Sequence, residues 1–238
     1  MIDTTVDLSP RVYSRIAGVG YLIIIAAGIF AEFVIRSSMI VPGDATTTAN
    51  NIMASEQLFR VGIAGDLIML VCDIVVGLAL YVLLRPVSKN LALLALLFRL
   101  IHTAVYGANL LNLFLVLLFL SGEGFGFDQQ SGLVSVFLDA HGIGYSLGLV
   151  FFGFHCLLLG YLIYKSGYIP GVLGILIAIA GLGYLIDSFT NVLLSNYTQY
   201  ESVLIIVVFV PAFIGELSLC LWLLLKGVRV KNVAISDS

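Results

Sequence analysis

Charge is what this sequence has least of. Only 11% of its 238 residues are Asp, Glu, Lys or Arg, while 61% are hydrophobic, and the mean hydropathy is +1.12. Soluble domains carry about 25% charged residues, so a water-soluble globule is excluded. The formal net charge is small, at −3, and no basic cluster occurs, which excludes a nucleic-acid partner. Cysteine is scarce too. Cys72, Cys156 and Cys220 are odd in number, lack C-x-x-C spacing and sit inside apolar runs, so they read as small buried hydrophobes. Among the three histidines there is no H-x-x-x-H or H-x-x-E pair. The sequence also lacks a P-loop, a Gly-rich dinucleotide fingerprint and any Ser-His-Asp spacing. Residues 1–10 carry Asp3 and Asp7 in place of the basic lead of a signal peptide, so the first apolar run is expected to be retained.

What the chain does have is long apolar runs. Six are long enough for a bilayer, which takes about 20 residues. They lie at about 16–35, 61–84, 91–120, 134–164, 171–193 and 203–225. The expected fold is all-α: one polytopic domain over 1–238, a single bundle of six transmembrane helices. Ser9 and Pro10 suit a helix start. Pro42-Gly43-Asp44 signals a turn, and Asn50 to Phe59 fits a short interfacial helix. Pro211 is expected to kink the last span. Trp222 and Lys226 should anchor its end. If the spans alternate, Arg11, Arg15, Arg85, Lys89, Lys165, Lys226, Arg229 and Lys231 share one side. The other side has Arg36 and Arg60 with Asp44, Glu56, Glu123, Asp128 and Glu201. The positive-inside rule then makes both termini cytoplasmic.

Against this background, ionisable groups within the spans point to function. A charge at mid-bilayer costs about 3 kcal/mol or more on insertion scales, so it should face partners instead of lipid. The third span is the centre of the reading: Arg99, His102, Tyr106 and Asn109 fall within an arc of about 80° on a helix. Asp66 and Asp73, seven apart, share a face of span two. His141, Tyr145, Gly148, Phe152 and His155 share one on span four. Tyr184, Asp187 and Asn191 line span five, and Glu32 with Arg36 forms an i,i+4 pair on span one. Taking about 1.5 Å of rise per residue, Asp73, Arg99, His102, His155 and Glu216 come out at mid-depth. Glu32, Asp66, Asn109, Asp187 and Asn191 come out toward the outer side. The expectation is a polar cavity open to the outside, with Arg36 and Arg60 at its mouth. It should narrow toward a convergence of Arg99, Asp73 and Glu216.

Several short elements, in order, carry a resemblance. They are Arg15-Ile-Ala-Gly, Glu32 with Arg36, Ala49-Asn50-Asn51-Ile52, Leu58-Phe59-Arg60, Asp73, Tyr81-x-Leu-Leu-Arg-Pro86 and Arg99. The run Gly160 to Pro170 and Glu216 with Leu221-Trp222-Leu223-Leu224 complete the set. This pattern resembles the prokaryotic multi-pass membrane family known as domain of unknown function 4386. The resemblance implies a bacterial or archaeal plasma-membrane protein. It brings no established activity, so no catalytic residue is carried over.

Four functions fit the residues. A binding or transport protein would use the acids Glu32, Asp66, Asp73, Asp187 and Glu216 for a small polar solute, a cation or protons, with Arg99 as counter-charge. A sensor or partner subunit would need only the bundle. An intramembrane metal enzyme would draw on His102, His141 and His155. A single haem would lie between His102 and His155. The spacing favours neither of the last two, and no cofactor is predicted. The lipid bilayer is the expected partner. Nothing in the sequence sets an oligomeric state.

Overall fold

The computed structural model describes residues 8–122, 126–194 and 196–228. Glu123, Arg229 and Lys231 lie outside the described residues, as do Asp3 and Asp7. Seven helices make up the described fold. They are α1 (Pro10–Met39), α2 (Ala45–Ala54), α3 (Glu56–Leu84), α4 (Lys89–Ser121), α5 (Phe127–Ser166), α6 (Gly171–Leu193) and α7 (Glu201–Leu225). Six of them, all but α2, are long and apolar enough to cross a membrane. The chain is a multi-pass membrane protein.

Local signals set the helix ends. Pro10 occupies the first turn of α1, where its missing N–H costs nothing. Asp44 caps α2: its carboxylate accepts from the Thr47 N–H at 2.9 Å and the Thr47 hydroxyl at 2.7 Å. Gly167 closes α5 at φ +71°, a left-handed position that suits glycine. The short helix expected over Asn50–Phe59 forms earlier, over Ala45–Ala54, because Asp44 offers the stronger start. Phe59 belongs to the next span. Pro211 lies inside α7, and the helix continues through it.

The six long helices form a closed ring in chain order. α1 packs on α3, α3 on α4, α4 on α5, α5 on α6, α6 on α7, and α7 back on α1. Side-chain pairings make each neighbour antiparallel, so Arg11, Arg85, Lys89, Lys165 and Lys226 share one end, here termed the basic end. Apolar association has little driving force in lipid, so close packing must hold such a ring. The α5–α6 seam shows how. Ser146, Gly153 and Gly160 on α5 recur every seven residues, and so do Gly174, Gly181 and Ser188 on α6. A methyl group added at Gly160 would meet the Gly174 carbonyl at 2.5 Å, and one at Gly181 would meet the Gly153 carbonyl at 2.8 Å. Only glycine permits this backbone approach.

The α1–α7 seam is close only at the basic end. There the Ser14 hydroxyl donates to the Leu223 carbonyl at 3.1 Å and the Cys220 thiol to Gly18 at 3.3 Å. A methyl at Gly18 would meet the Leu224 nitrogen at 2.9 Å. Farther along, α1 follows α3, with Gly28 against Met69 and Gly62 of α3 against Ile35. α7 instead follows α6, with Gly183 against Val208. Toward the other end, Phe33 of α1 meets Phe209 of α7 at 5.4 Å between centroids.

Candidate functional site

The interior of the ring is polar at two levels. At the deeper level Arg99 is the largest side chain buried completely, with 0% of its surface exposed. Its guanidinium donates to Asp73 Oδ1 at 2.5 Å and to the Asp73 carbonyl at 3.1 Å. It also reaches Tyr21 Oη at 3.1 Å and His155 Nε2 at 3.0 Å. His155 Nδ1 lies 2.8 Å from the Ala95 carbonyl. A carbonyl only accepts and a guanidinium only donates, so His155 is neutral with its proton on Nδ1. Thr103 donates to the second Asp73 oxygen at 2.6 Å. The Arg99 side chain also stacks over Tyr21 and Phe152, at 5.1 and 5.4 Å from the ring centroids. Residues from α1, α3, α4 and α5 thus close the middle of the ring around one cation.

One heptad farther from the basic end, about 10.5 Å along α3 and α4, the pattern repeats with the charge supplied differently. Asp66 is fully buried and takes two bonds from Arg36, at 2.6 and 3.3 Å. It takes a third from the Tyr106 hydroxyl at 3.0 Å. Arg36 also bonds Glu32 at 2.7 Å. Glu32 and Arg36 lie in a π-helical turn, Phe30–Arg36, within α1. π turns widen the helix and are frequent at functional sites. Next to this level the Asn109 amide donates to the His141 carbonyl at 2.8 Å and to His141 Nδ1 at 3.1 Å. His102 stands between the levels, with ring centroids 4.9 Å from Phe152 and 6.2 Å from Tyr106. Its Nδ1 faces Gly148 and completes no hydrogen bond of ordinary geometry.

Glu216 does not join Arg99 as the sequence suggested. It accepts from the Tyr184 hydroxyl at 2.7 Å. Tyr184 rests on Phe152 at 5.5 Å and Phe152 lies 5.4 Å from the Arg99 guanidinium, while Arg99 and Asp73 stay within electrostatic range of Glu216. Glu216 makes no ion pair with any described residue. It is half-buried, as is Tyr184. Tyr145 is 42% exposed although its ring packs edge-on against the buried Tyr106 at 5.3 Å. The Tyr145 phenol lies within electrostatic range of Glu32, Glu216, Arg36 and Asp66. Glu32 belongs to α1, Tyr145 to α5, Tyr184 to α6 and Glu216 to α7.

The remaining candidates lie elsewhere. Arg60 pairs with Glu56 at 2.8 Å on an exposed helix face, not in the interior. Asp187 accepts from Tyr197 at 3.0 Å, and Asn191 reaches Ser146 at 3.4 Å in the α5–α6 seam. His102, His141 and His155 stand at three successive levels and share no centre. No group of three or more His, Cys, Asp or Glu among the described residues could hold a metal. Two cavities lie away from Glu216, the first among buried residues beside the Arg99 cluster and the second at the periphery. The first is lined by Gly77, Leu80, Ala95, His155 and Leu159, the second by Ile52, Met53, Glu56 and Leu117. Sequence reasoning missed Tyr21 and Thr103, which complete the Arg99 cluster. Tyr21, a phenol in the middle of an apolar run, was the available signal.

Comparison with known proteins settles the family. Residues 16–227 match the model described as Domain of unknown function (DUF4386). The chain belongs to that family. It is also 36% identical, over 171 residues, to a protein of Archaeoglobus fulgidus named "Uncharacterized protein"; the match covers 72% of this chain and 86% of the relative. No solved structure matches. Membership in DUF4386 leaves the chemistry to be read from the site itself.

Proposed function

We propose that this DUF4386 protein sits in the plasma membrane of a prokaryote with both termini cytoplasmic, and takes a small polar solute or cation from outside into a cleft that runs between α1 and α7, past Glu32, to Tyr145, Tyr184 and Glu216. The orientation rests on the basic end: by the positive-inside rule Arg85, Lys89, Lys165 and Lys226 mark the cytoplasm. One observation carries the functional reading. Glu216 is a membrane-embedded carboxylate that has a phenol as partner and makes no ion pair with any described residue. Such a group stays only where water, a proton or a positively charged ligand compensates it. Arg36–Asp66 and Arg99–Asp73 are already paired and form the wall and floor.

A second reading has its own support. The Arg99 cluster fills the ring below the cleft, and a ligand that binds without passing through would make the protein a sensor or a partner subunit. Both readings need the cleft to be wet from outside. The test replaces Cys72, Cys156 and Cys220 with Ala and introduces Tyr145→Cys or Tyr21→Cys. A membrane-impermeant thiol reagent is then added to intact cells. Labelling of Tyr145→Cys but not Tyr21→Cys is expected. An unlabelled Tyr145→Cys, in a variant that still folds by gel filtration, would overturn the proposal.

A further inference from the structure

We infer that the cleft is a site for a small organic ammonium, bound by Glu216 and the aromatic side chains around it. The inference rests on the cleft proposed above and names its ligand class. Three features lead to it. The first is charge: among the described residues Glu216 is the one cleft carboxylate without an ion pair, and its hydrogen bond there is from Tyr184.

The second is the lining. Tyr145 and Tyr184 stand on the α5–α6 side, and Tyr145 is 42% exposed although its ring edge meets Tyr106. Phe209 and Phe213 stack at 6.0 Å on α7, with Phe209 touching Phe33 across the mouth. A carboxylate among aromatic faces is the arrangement that recognises substituted ammonium ions, through the negative face of each ring.

The third is what the cleft does not offer. A strongly hydrated metal ion needs about six oxygen ligands to replace its water, and no cluster of three or more acidic or metal-binding side chains occurs among the described residues. An alkylated ammonium is weakly hydrated and asks for one counter-charge and apolar contact. An anion is disfavoured, because both buried arginines are already held by carboxylates. The ammonium can come from a free solute or from a membrane amphiphile, since the cleft lies between two lipid-facing helices.

The probes are tetramethylammonium and hexyltrimethylammonium chlorides, with sodium chloride at equal ionic strength as control. The readout is the melting temperature of the full-length protein in dodecyl maltoside. Tetramethylammonium should raise Tm in a saturable way that sodium does not reproduce. Glu216→Gln, which keeps an acceptor for Tyr184, should weaken the apparent affinity at least tenfold. Tyr145→Leu should weaken it too, while Tyr145→Phe should not. A hexyl chain that tightens binding more than a hundredfold would identify the source as an amphiphile; similar affinities would identify a free solute. An equal response in Glu216→Gln, or no response beyond sodium chloride, would overturn the inference. If Tyr145→Cys is nevertheless labelled from outside, the wet cleft stands and only the ligand class falls.

Discussion

Replacing Arg99 with Met removes the cation that, among the described residues, stands alone at the deeper level. The guanidinium makes four polar contacts, two to Asp73 and one each to Tyr21 and His155. In the variant Asp73 keeps only Thr103, and its carboxylate stays buried. Breaking a buried ion pair from one side costs about 3–5 kcal/mol. At about 2–4 °C per kcal/mol for a chain of this size, the melting temperature should fall by about 6–20 °C. The double variant Arg99→Met with Asp73→Leu removes both charges and fills the space with apolar atoms. Such replacements are often neutral or stabilising, so the double variant should regain most of the loss. Thermal unfolding in detergent, followed by size-exclusion fluorescence, measures all three proteins. A single variant melting within about 2 °C of wild type would refute the buried pair. So would a double variant no better than the single, because the penalty would not then come from the stranded Asp73.

Three further predictions follow from other parts of the ring. Gly160→Ala drives a methyl into the Gly174 carbonyl at 2.5 Å and should cost about 1–3 kcal/mol, read as a lower Tm, whereas Gly142→Ala, with open space around it, should leave Tm unchanged. The Thr47 hydroxyl and N–H hold the Asp44 carboxyl below the usual carboxylate range. Its stabilisation of α2 should therefore be complete above the ordinary carboxylate pKa and be lost as pH falls through the lowered one. Amide exchange at Thr47 should accelerate only under that acid condition. Tyr168 donates to the Leu83 carbonyl at 2.6 Å, and burial pushes its phenol up to about 12. Its contribution should be intact below the ordinary tyrosine pKa and be lost as pH rises toward about 12. In Tyr168→Phe that alkaline loss should be absent from a pH series of melts.

The architecture was legible because lipid imposes it. Long apolar runs must be helices, and the loop charges divide in two. The Arg99–Asp73 and Arg36–Glu32 pairs were also legible, since an intramembrane arginine must find an acid and the depths matched. Glu216 was misassigned because depth says nothing about rotation around the ring. It shares a level with Arg99 but faces Tyr184 on the neighbouring helix. Arg36 turned inward because the π turn carries it onto Asp66, and no residue pattern announces a π turn. The seven-residue spacing of Ser146, Gly153 and Gly160 was present in the sequence. Its meaning required knowing that α6 repeats it in the opposite direction.

The central claim is that Glu216 faces water inside the ring and that Asp73 does not. Carbodiimides of two kinds separate these cases, one soluble in water and one in lipid, each applied with an amine nucleophile to the protein in liposomes. Peptide mass spectrometry then locates the modified carboxyls. The account predicts that the water-soluble reagent modifies Glu216 and Glu32 and spares Asp73. Modification of Glu216 by the lipid-soluble reagent alone would place it against the bilayer and contradict the account, as would equal modification of Asp73.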